Sequence, residues 1–491
     1  MDEAQQLALI GQAVRTHMDG KRALVVGDLM LDKYVWGQVT RISPEAPVPV
    51  LRFGREAAHE GGAGNVAANI AGLGLDVAVA GFVGADPAGE KLREIFDKAG
   101  IDGTGIVTLD DRPTIIKTRI IGGHQHVLRI DVEDLQPVKR NQADKLLANV
   151  LRQLSDGFDC LILSDYAKGV LGVDVCTAII ADARKLGIPV FVDPKGLDFS
   201  RYRGATVLTP NLGELTAAAR LGDVPIGQLI DAGRRFVDDL KLDFLVLTRG
   251  PDGMTLITRT DSLDSRAMAQ EVFDVSGAGD TAIAALAAGH VAGLTGASLL
   301  HLANLAASIV VGKVGTVAIQ RDWVLQALDS RTRSSREAVY ALDELVALVA
   351  EWRARGERIV FTNGCFDILH EGHVTCLRRA AEEGDRLIVA LNGDRSVHDL
   401  KGPSRPVNSE RARAAVVSAL SPVDAVILFD SPTPLALIEA LRPDVLVKGG
   451  DYSPKDIVGA REVESWGGRV VTVPLVKGYS TTSMIEKLSV E

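Results

Sequence analysis

Short, unbroken apolar runs recur along the first part of the chain. They are Ala-Leu-Val-Val-Gly at 23–27, Val-Ala-Val-Ala-Gly-Phe-Val at 77–83, Cys-Leu-Ile-Leu at 160–163, Val-Phe-Val at 190–192, Val-Leu at 207–208 and Phe-Leu-Val-Leu at 244–247. Between most of them lie helix-like segments, such as 65–73 and 89–99. Strand, turn, helix and strand in that rhythm predict a mostly parallel sheet covered by helices. Continuous rather than alternating apolar strands predict burial on both faces. Residues 114–121, Thr-Ile-Ile-Lys-Thr-Arg-Ile-Ile, follow a different pattern and suit a small extra sheet lying over a site.

The pattern changes after about Gln320. Residues 329–336, Asp-Ser-Arg-Thr-Arg-Ser-Ser-Arg, are polar and read as a flexible linker. An amphipathic helix follows, with Val339, Leu342, Val346, Val349 and Trp352 on one face. The strand–helix rhythm then restarts at 358–361, 386–390, 424–428, 445–447 and 470–473. The expected organisation is two α/β domains of unequal size, 1–330 and 356–491. A linker and connecting helix at 331–355 join them, and no internal repeat relates the two.

Composition narrows the function classes. The 491 residues are 46% hydrophobic and 24% charged, which excludes a largely disordered or collagen-like chain. The 49 glycines and the 4% aromatic content favour tight strand-to-helix turns over an aromatic-rich all-β binding module. A net charge of −10 argues against a general nucleic-acid partner. The four cysteines, Cys160, Cys176, Cys365 and Cys376, form no CxxC pair, so neither a disulfide framework nor a zinc knuckle is expected. Reduced thiols suit a cytoplasmic location. The N-terminus lacks a signal-peptide core, and the most apolar stretches are too short for membrane insertion.

The first chemical constellation is Asp-Val-Ser-Gly-Ala-Gly-Asp-Thr at 274–281, ahead of a long apolar helical stretch. Gly277, Ala278 and Gly279 would present bare N–H groups at a helix N-terminus, an anion site. Asp280 sits at its mouth. It can take a proton from a hydroxyl that attacks a phosphorus held by the same turn, or it can simply cap the helix. Thr-Pro-Asn-Leu-Gly-Glu at 209–214 opens a second helix. There Asn211, Leu212 and Gly213 would lie near phosphate, and Glu214 would order a metal-bound water. Thr248, Gly250 and Gly253 follow a strand and would let backbone approach a nucleotide. Near the N-terminus, Gly-Gly-Ala-Gly-Asn at 61–65 superficially offers a dinucleotide fingerprint. With no clear strand just before it, that reading is poor, and Gly62 and Asn65 better suit a small substrate. Asp28 and Asp32 can accept hydrogen bonds from sugar hydroxyls or can be satisfied loop carboxylates.

These motifs resemble the ribokinase-like, PfkB-type carbohydrate kinases over roughly residues 20–320. The resemblance implies that Asp280 is the catalytic base and that residues 277–279 are the anion hole. It also implies that 211–214 bind Mg²⁺·ATP and that Asp28 and Asn65 face the sugar.

The second constellation runs from Asn363 to His373: Asn-Gly-Cys-Phe-Asp-Ile-Leu-His-Glu-Gly-His. His370 and His373 are three apart, not the four of a zinc-protease helix. Their imidazoles can stabilise charge on an α-phosphate, or they can be surface or capping groups. Asn363, Gly364, Cys365, Phe366 and Asp367 form the turn before them. Lys401, Arg405 and Arg411 can grip polyphosphate or form a solvated basic surface. Thr481 and Thr482, in Gly-Tyr-Ser-Thr-Thr-Ser at 478–483, suit a phosphate at the start of a last helix. Residues 356–491 thus resemble the cytidylyltransferase-like nucleotidyltransferases.

The expected fold class is therefore α/β in two domains: a ribokinase-like sandwich with a small β lid, then a Rossmann-like nucleotidyltransferase fold. The fusion resembles the bacterial bifunctional heptose enzymes of lipopolysaccharide core synthesis, notably at 41–50, 163–169 and 446–452. That resemblance implies phosphorylation of D-glycero-β-D-manno-heptose 7-phosphate at O1. It also implies transfer of AMP from ATP to heptose 1-phosphate, with a separate phosphatase acting between the steps. The implied partners are sugar phosphates, ATP, Mg²⁺ and a second copy bound through the kinase domain. Lys117, Arg119, Arg129 and Lys168 are the candidate cations for the sugar's phosphate. Rival readings are a kinase/cytidylyltransferase for another sugar or polyol, and a non-catalytic nucleotide-sensing scaffold.

Overall fold

The computed structural model describes residues 3–123, 125–134, 136–268, 274–313, 315–335, 339–450, 453 and 456–474. It divides into two compact units, Met1–Asp329 and Ser330–Glu491.

In the first unit the strands are β1 (Arg22–Gly27), β2 (Leu29–Ile42), β3 (Pro49–Gly62), β4 (Asp76–Gly84), β5 (Asp102–Leu109), β6 (Ile115–Gly122) and β7 (Gln125–Val132). They continue as β8 (Cys160–Ser164), β9 (Val190–Asp193), β10 (Val207–Leu208), β11 (Phe244–Thr248), β12 (Met254–Ile257) and β13 (Ser262–Ser265). A nine-stranded sheet has the order β13-β12-β11-β10-β9-β8-β1-β4-β5. It is parallel from β11 to β5, and an antiparallel β12–β13 pair closes one edge. Alternate residues of one strand enter cores on opposite faces. Ala23 and Val25 join one cluster, Leu24 and Val26 the other. Burial on both faces is why these strands read as unbroken apolar runs.

The pattern at 114–121 belongs to β6 of a separate four-stranded sheet, β3-β2-β6-β7. One expectation fails here. A strand does precede Gly61, since β3 runs directly into the helix Ala63–Leu73. Its residues 52–60 are mostly polar and solvent-facing, so no apolar run marks it. β3 is an antiparallel lid strand, which removes the dinucleotide fingerprint for a different reason: no parallel βα turn is present there.

The second unit has β14 (Ile359–Gly364), β15 (Arg386–Asn392), β16 (Ala425–Phe429), β17 (Val445–Gly449) and β18 (Arg469–Val473). They form a parallel sheet in the order β16-β15-β14-β17-β18. The order reverses at β14, which creates a crevice at its carboxyl end.

The expected linker is corrected. Residues 329–335 complete the helix Arg321–Ser335, whose polar end carries too few apolar residues to show a period. The next helix, Leu342–Ala354, is no tether either. It buries Leu345, Val349 and Trp352 in the core of the second unit, against Ile359 and Phe361. Val346, expected on that face, is 39% exposed, and Val339 lies before the helix, in a bridge to Val426. Among the described residues, no helix is long and apolar enough to cross a membrane.

Trp352 is 2% exposed. Trp352→Ala should destabilise the second unit by about 3–5 kcal/mol. Urea unfolding should show that transition at lower denaturant with the first unit's transition unmoved.

Candidate active sites

Asp280 is the third residue of the helix Ala278–Val291, so it is not the helix cap. Gly277 takes that place with φ 80°, a conformation open to glycine, and a Cβ there would lie 2.9 Å from Asn65 Nδ2. The space around Gly279 is open. The turn therefore offers backbone N–H groups beside a buried carboxylate. Asn65 Nδ2 donates to Asp280 Oδ2 at 2.7 Å, and the Tyr166 hydroxyl donates to Oδ1 at 2.7 Å. Burial pushes the Asp280 carboxyl up to about 6, with Asn65 and Tyr166 pulling the other way. Asn65 is itself steadied by Asn69, which accepts from Thr281 Oγ1 at 2.8 Å.

The predicted sugar-side residues separate into two groups. Asn65 and Asp32 surround the carboxylate, Asp32 paired to Arg119 at 2.6 Å. Gly62 lies at the end of β3, one residue before the helix Ala63–Leu73 that carries Asn65. Asp28 is different. Its carboxylate accepts three backbone amides, from Tyr166 (2.9 Å), Lys168 (3.0 Å) and Val170 (3.2 Å). It pins the loop after β8 and leaves little acceptor capacity for a sugar.

The nucleotide motifs meet side by side. Asn211 bridges to Thr248, so 211–214 and 248–253 lie at adjacent strand ends. Leu212 and Gly213 open a short helix, Leu212–Ala218, and Gly250 and Gly253 flank a tight turn with positive φ. Asn211 and Glu214 form a reciprocal capping box at 2.9 and 3.0 Å. Glu214 also pairs with Lys195 at 2.8 Å. The local role of both residues is thus to start the helix.

In the second unit His370 caps the helix Glu371–Ala381, and His373 lies in its first turn. Their rings stack with centroids 3.8 Å apart, and Phe366 leans on His373 at 5.1 Å. Burial, then the neighbouring His370, pushes His373 down to about 4, and burial lowers His370 as well. Both rings are neutral at pH 7. Gly364 is packed so closely that a Cβ would meet the Phe366 ring at 2.8 Å.

Several predicted contacts lie elsewhere. Asp367 accepts from Val407 N (2.8 Å) and Asn408 N (3.1 Å) and forms a buried ion pair with Arg405. Arg405 thus latches a loop rather than standing free for phosphate. Lys401 is exposed at a helix end, and Arg411 is exposed on the helix Glu410–Ser418. Arg413, two residues further, turns to the opposite face. Its side chain is 1% exposed and donates to Cys365 O (2.6 Å), Asn408 O (3.0 Å) and Asp394 (2.8 Å). Asn363 accepts from Lys448 Nζ at 2.9 Å. Thr481 and Thr482 lie outside the described residues.

Sequence reasoning missed Tyr166, Arg413 and Lys448. Tyr166 and Lys448 sit inside the segments 163–169 and 446–452 that carried the resemblance, but neither belongs to a local catalytic motif. Among the described residues, no group of three or more His, Cys, Asp or Glu is placed to hold a metal ion by itself.

Two separate phosphate-handling centres in one chain define a carbohydrate kinase joined to a nucleotidyltransferase. Residues 21–323 match the pfkB family carbohydrate kinases, and 361–487 match the cytidylyltransferase-like family. The chain is 51% identical to the bifunctional protein HldE of Methylobacillus flagellatus over 95% of this chain and 96% of that one. It is 50% identical to that of Magnetococcus marinus over 98% and 99%. The chain belongs to the family of bifunctional HldE proteins. Its fold is also similar to Arabidopsis thaliana ribokinase complexed with ribose and ATP (TM-score 0.50, 20% identity, 63% of this chain and 99% of that one). Escherichia coli phosphofructokinase-2 in complex with potassium is a comparable neighbour (TM-score 0.52, 20% identity, 64% and 99%).

Arg413→Met should destabilise the second unit by roughly 3 kcal/mol, because it strips three partners of a buried cation. Arg411→Met, on the exposed face, should stay within about 0.5 kcal/mol. Urea titration of the full chain reads both.

Proposed function

We propose that this chain carries both half-reactions of ADP-heptose synthesis. The first unit phosphorylates D-glycero-β-D-manno-heptose 7-phosphate at O1 with ATP. The second transfers AMP from ATP to D-glycero-β-D-manno-heptose 1-phosphate and releases pyrophosphate. The observation that carries the kinase reading is the Asp280 carboxylate, buried beside an open glycine turn with one donor on each oxygen. The heptose assignment rests on family membership across nearly the whole chain.

In the kinase, Asp280 accepts the O1 proton as the O1–P bond forms and the bond to ADP breaks. A carboxyl that titrates near 6 is ionised at neutral pH yet basic enough to share that proton. Residues 277–279 receive the transferred phosphoryl group. Glu214 is the residue that would order an Mg²⁺-bound water, its carboxylate exchanging the ion pair with Lys195 for that water. The ion, when bound, neutralises charge on the ATP phosphates. Of the four candidate cations, Arg119 pairs with Asp32, Arg129 with Asp131 and Lys168 with Glu133. Lys117 is half-buried over the Tyr166 ring and is the one we assign to the sugar's phosphate.

In the transferase, the neutral imidazoles of His370 and His373 donate to the α-phosphate as the sugar phosphate attacks. No general base is needed, because the nucleophile is already anionic. Exposed Ile42 (61%) and Phe53 (61%) on the lid sheet support a homodimer through the kinase unit. ATP as co-substrate and the free thiols support a cytoplasmic location.

Asp280→Asn should lower kinase turnover by about 10²–10⁴-fold in an ADP-release assay and spare pyrophosphate release. Wild-type turnover in that variant would remove the base assignment. Kinase kcat/KM should fall as pH drops through about 6, where Asp280 takes up its proton. His373→Ala should slow pyrophosphate release by about 10²–10³-fold and leave the kinase intact.

A further inference from the structure

The loop after β8 is tied down from two sides before it reaches the kinase centre. Asp28 holds the amides of Tyr166, Lys168 and Val170. Asp165, beside it, accepts from the Tyr202 hydroxyl at 2.6 Å and from Ala167 N at 2.7 Å, and pairs with Arg201 at 3.0 Å. Ala167 takes a left-handed φ of 57°, unusual for a residue with a Cβ. A loop so restrained has a fixed product: the Tyr166 ring, its hydroxyl 2.7 Å from Asp280 Oδ1. The lid adds to this, with Lys117 Nζ lying 5.5 Å from the centre of the ring.

We propose that Tyr166 is a positioning residue of the kinase, which orients the Asp280 carboxylate and holds it ionised through its hydroxyl hydrogen bond. The inference rests on the base role given to Asp280 above. A carboxylate oxygen has two lone pairs, so Tyr166 and Asn65 leave room for the proton of the attacking hydroxyl. Tyr166 only donates: burial and the adjacent carboxylate push its own hydroxyl well up, so it keeps its proton at working pH. The hydrogen bond stabilises the ionised carboxylate against the burial that disfavours it. The other groups facing Asp280 are Asp32 on β2, Asp193 at the end of β9, Lys117 on β6 and Asn65. Asp32 raises its affinity for a proton and Lys117 lowers it, while Asp280 in turn raises that of Asp193. Asp28, which the sequence offers as a sugar ligand or as a satisfied loop carboxylate, acts here through the loop.

Tyr166→Phe keeps the ring and its packing and removes only the hydroxyl. Its kinase kcat/KM profile should keep its shape while the acid limb moves up by about one pH unit. The loss should therefore be largest near pH 6, smaller near pH 8.5, and carried by kcat more than by KM for ATP. An unmoved limb, or a loss equal at every pH, would overturn the proposal. The same titration can be read without turnover, as the infrared carboxyl band lost between a parent and its Asp280→Asn derivative. Measured in wild-type and Tyr166→Phe backgrounds, that band should titrate higher in the second; equal midpoints would overturn the proposal. Failure of wild type to phosphorylate any sugar phosphate would count against the substrate reading, while the infrared result still decides the role of Tyr166.

Discussion

A carboxylate kept ionised in a buried place is the constraint on which the kinase unit is organised. Asp280 titrates near 6 rather than 3.8. Two pH units correspond to about 3 kcal/mol against the charged form at neutral pH. The folded state holds a proton that the unfolded chain releases between those values. This term therefore erodes stability as pH rises from about 4 to about 6 and is constant above. Donors from two distant segments limit it: Asn65 from the helix after the lid strand, Tyr166 from the loop after β8. Each donor is held in turn, one by Asn69 and the other by the Asp28 tie. The parallel core beneath supplies the rigidity, since β1 and β8 are neighbours whose ends carry Asp28 and the Tyr166 loop.

The transferase unit solves a related problem with neutral groups. It places stacked imidazoles at a helix N-terminus beyond the central strand of a parallel sheet, where the strand order reverses. Burial favours their uncharged form, which suits the proposed role of directed donors rather than cations. Cationic character comes from Lys448 beside Asn363. Buried Arg413 fastens the turn that carries the strand into the histidines. Both centres thus lie at strand ends and helix starts, and the proposed chemistry asks for a base where the nucleophile is a hydroxyl and for none where it is already a phosphate.

Much of this was legible in the chain, for physical reasons. Unbroken apolar strands mark doubly covered sheets, and glycines next to Asp280 mark a turn no other residue makes easily. What was hidden lay where local pattern carries no signal. β3 faces solvent, so it has no apolar run. Arg411 and Arg413 are two residues apart, and only knowledge of which helix face is buried separates the exposed side chain from the clamp. Asp28 looks like a ligand by composition. That its carboxylate is taken up by amides nearly 140 residues away is a tertiary fact. Tyr166 is 114 residues from Asp280, too far for any spacing rule. The helix Arg321–Ser335 escaped because polar residues at its end mimic a linker.

The most direct test of two independent phosphorus chemistries in one chain is phosphorus NMR of the full-length protein with Mg·ATP. Heptose 7-phosphate and heptose 1-phosphate are supplied in separate samples. The first should yield ADP and a heptose bisphosphate, the second pyrophosphate and an ADP-sugar. Unchanged ATP and sugar phosphate in both samples would contradict the account.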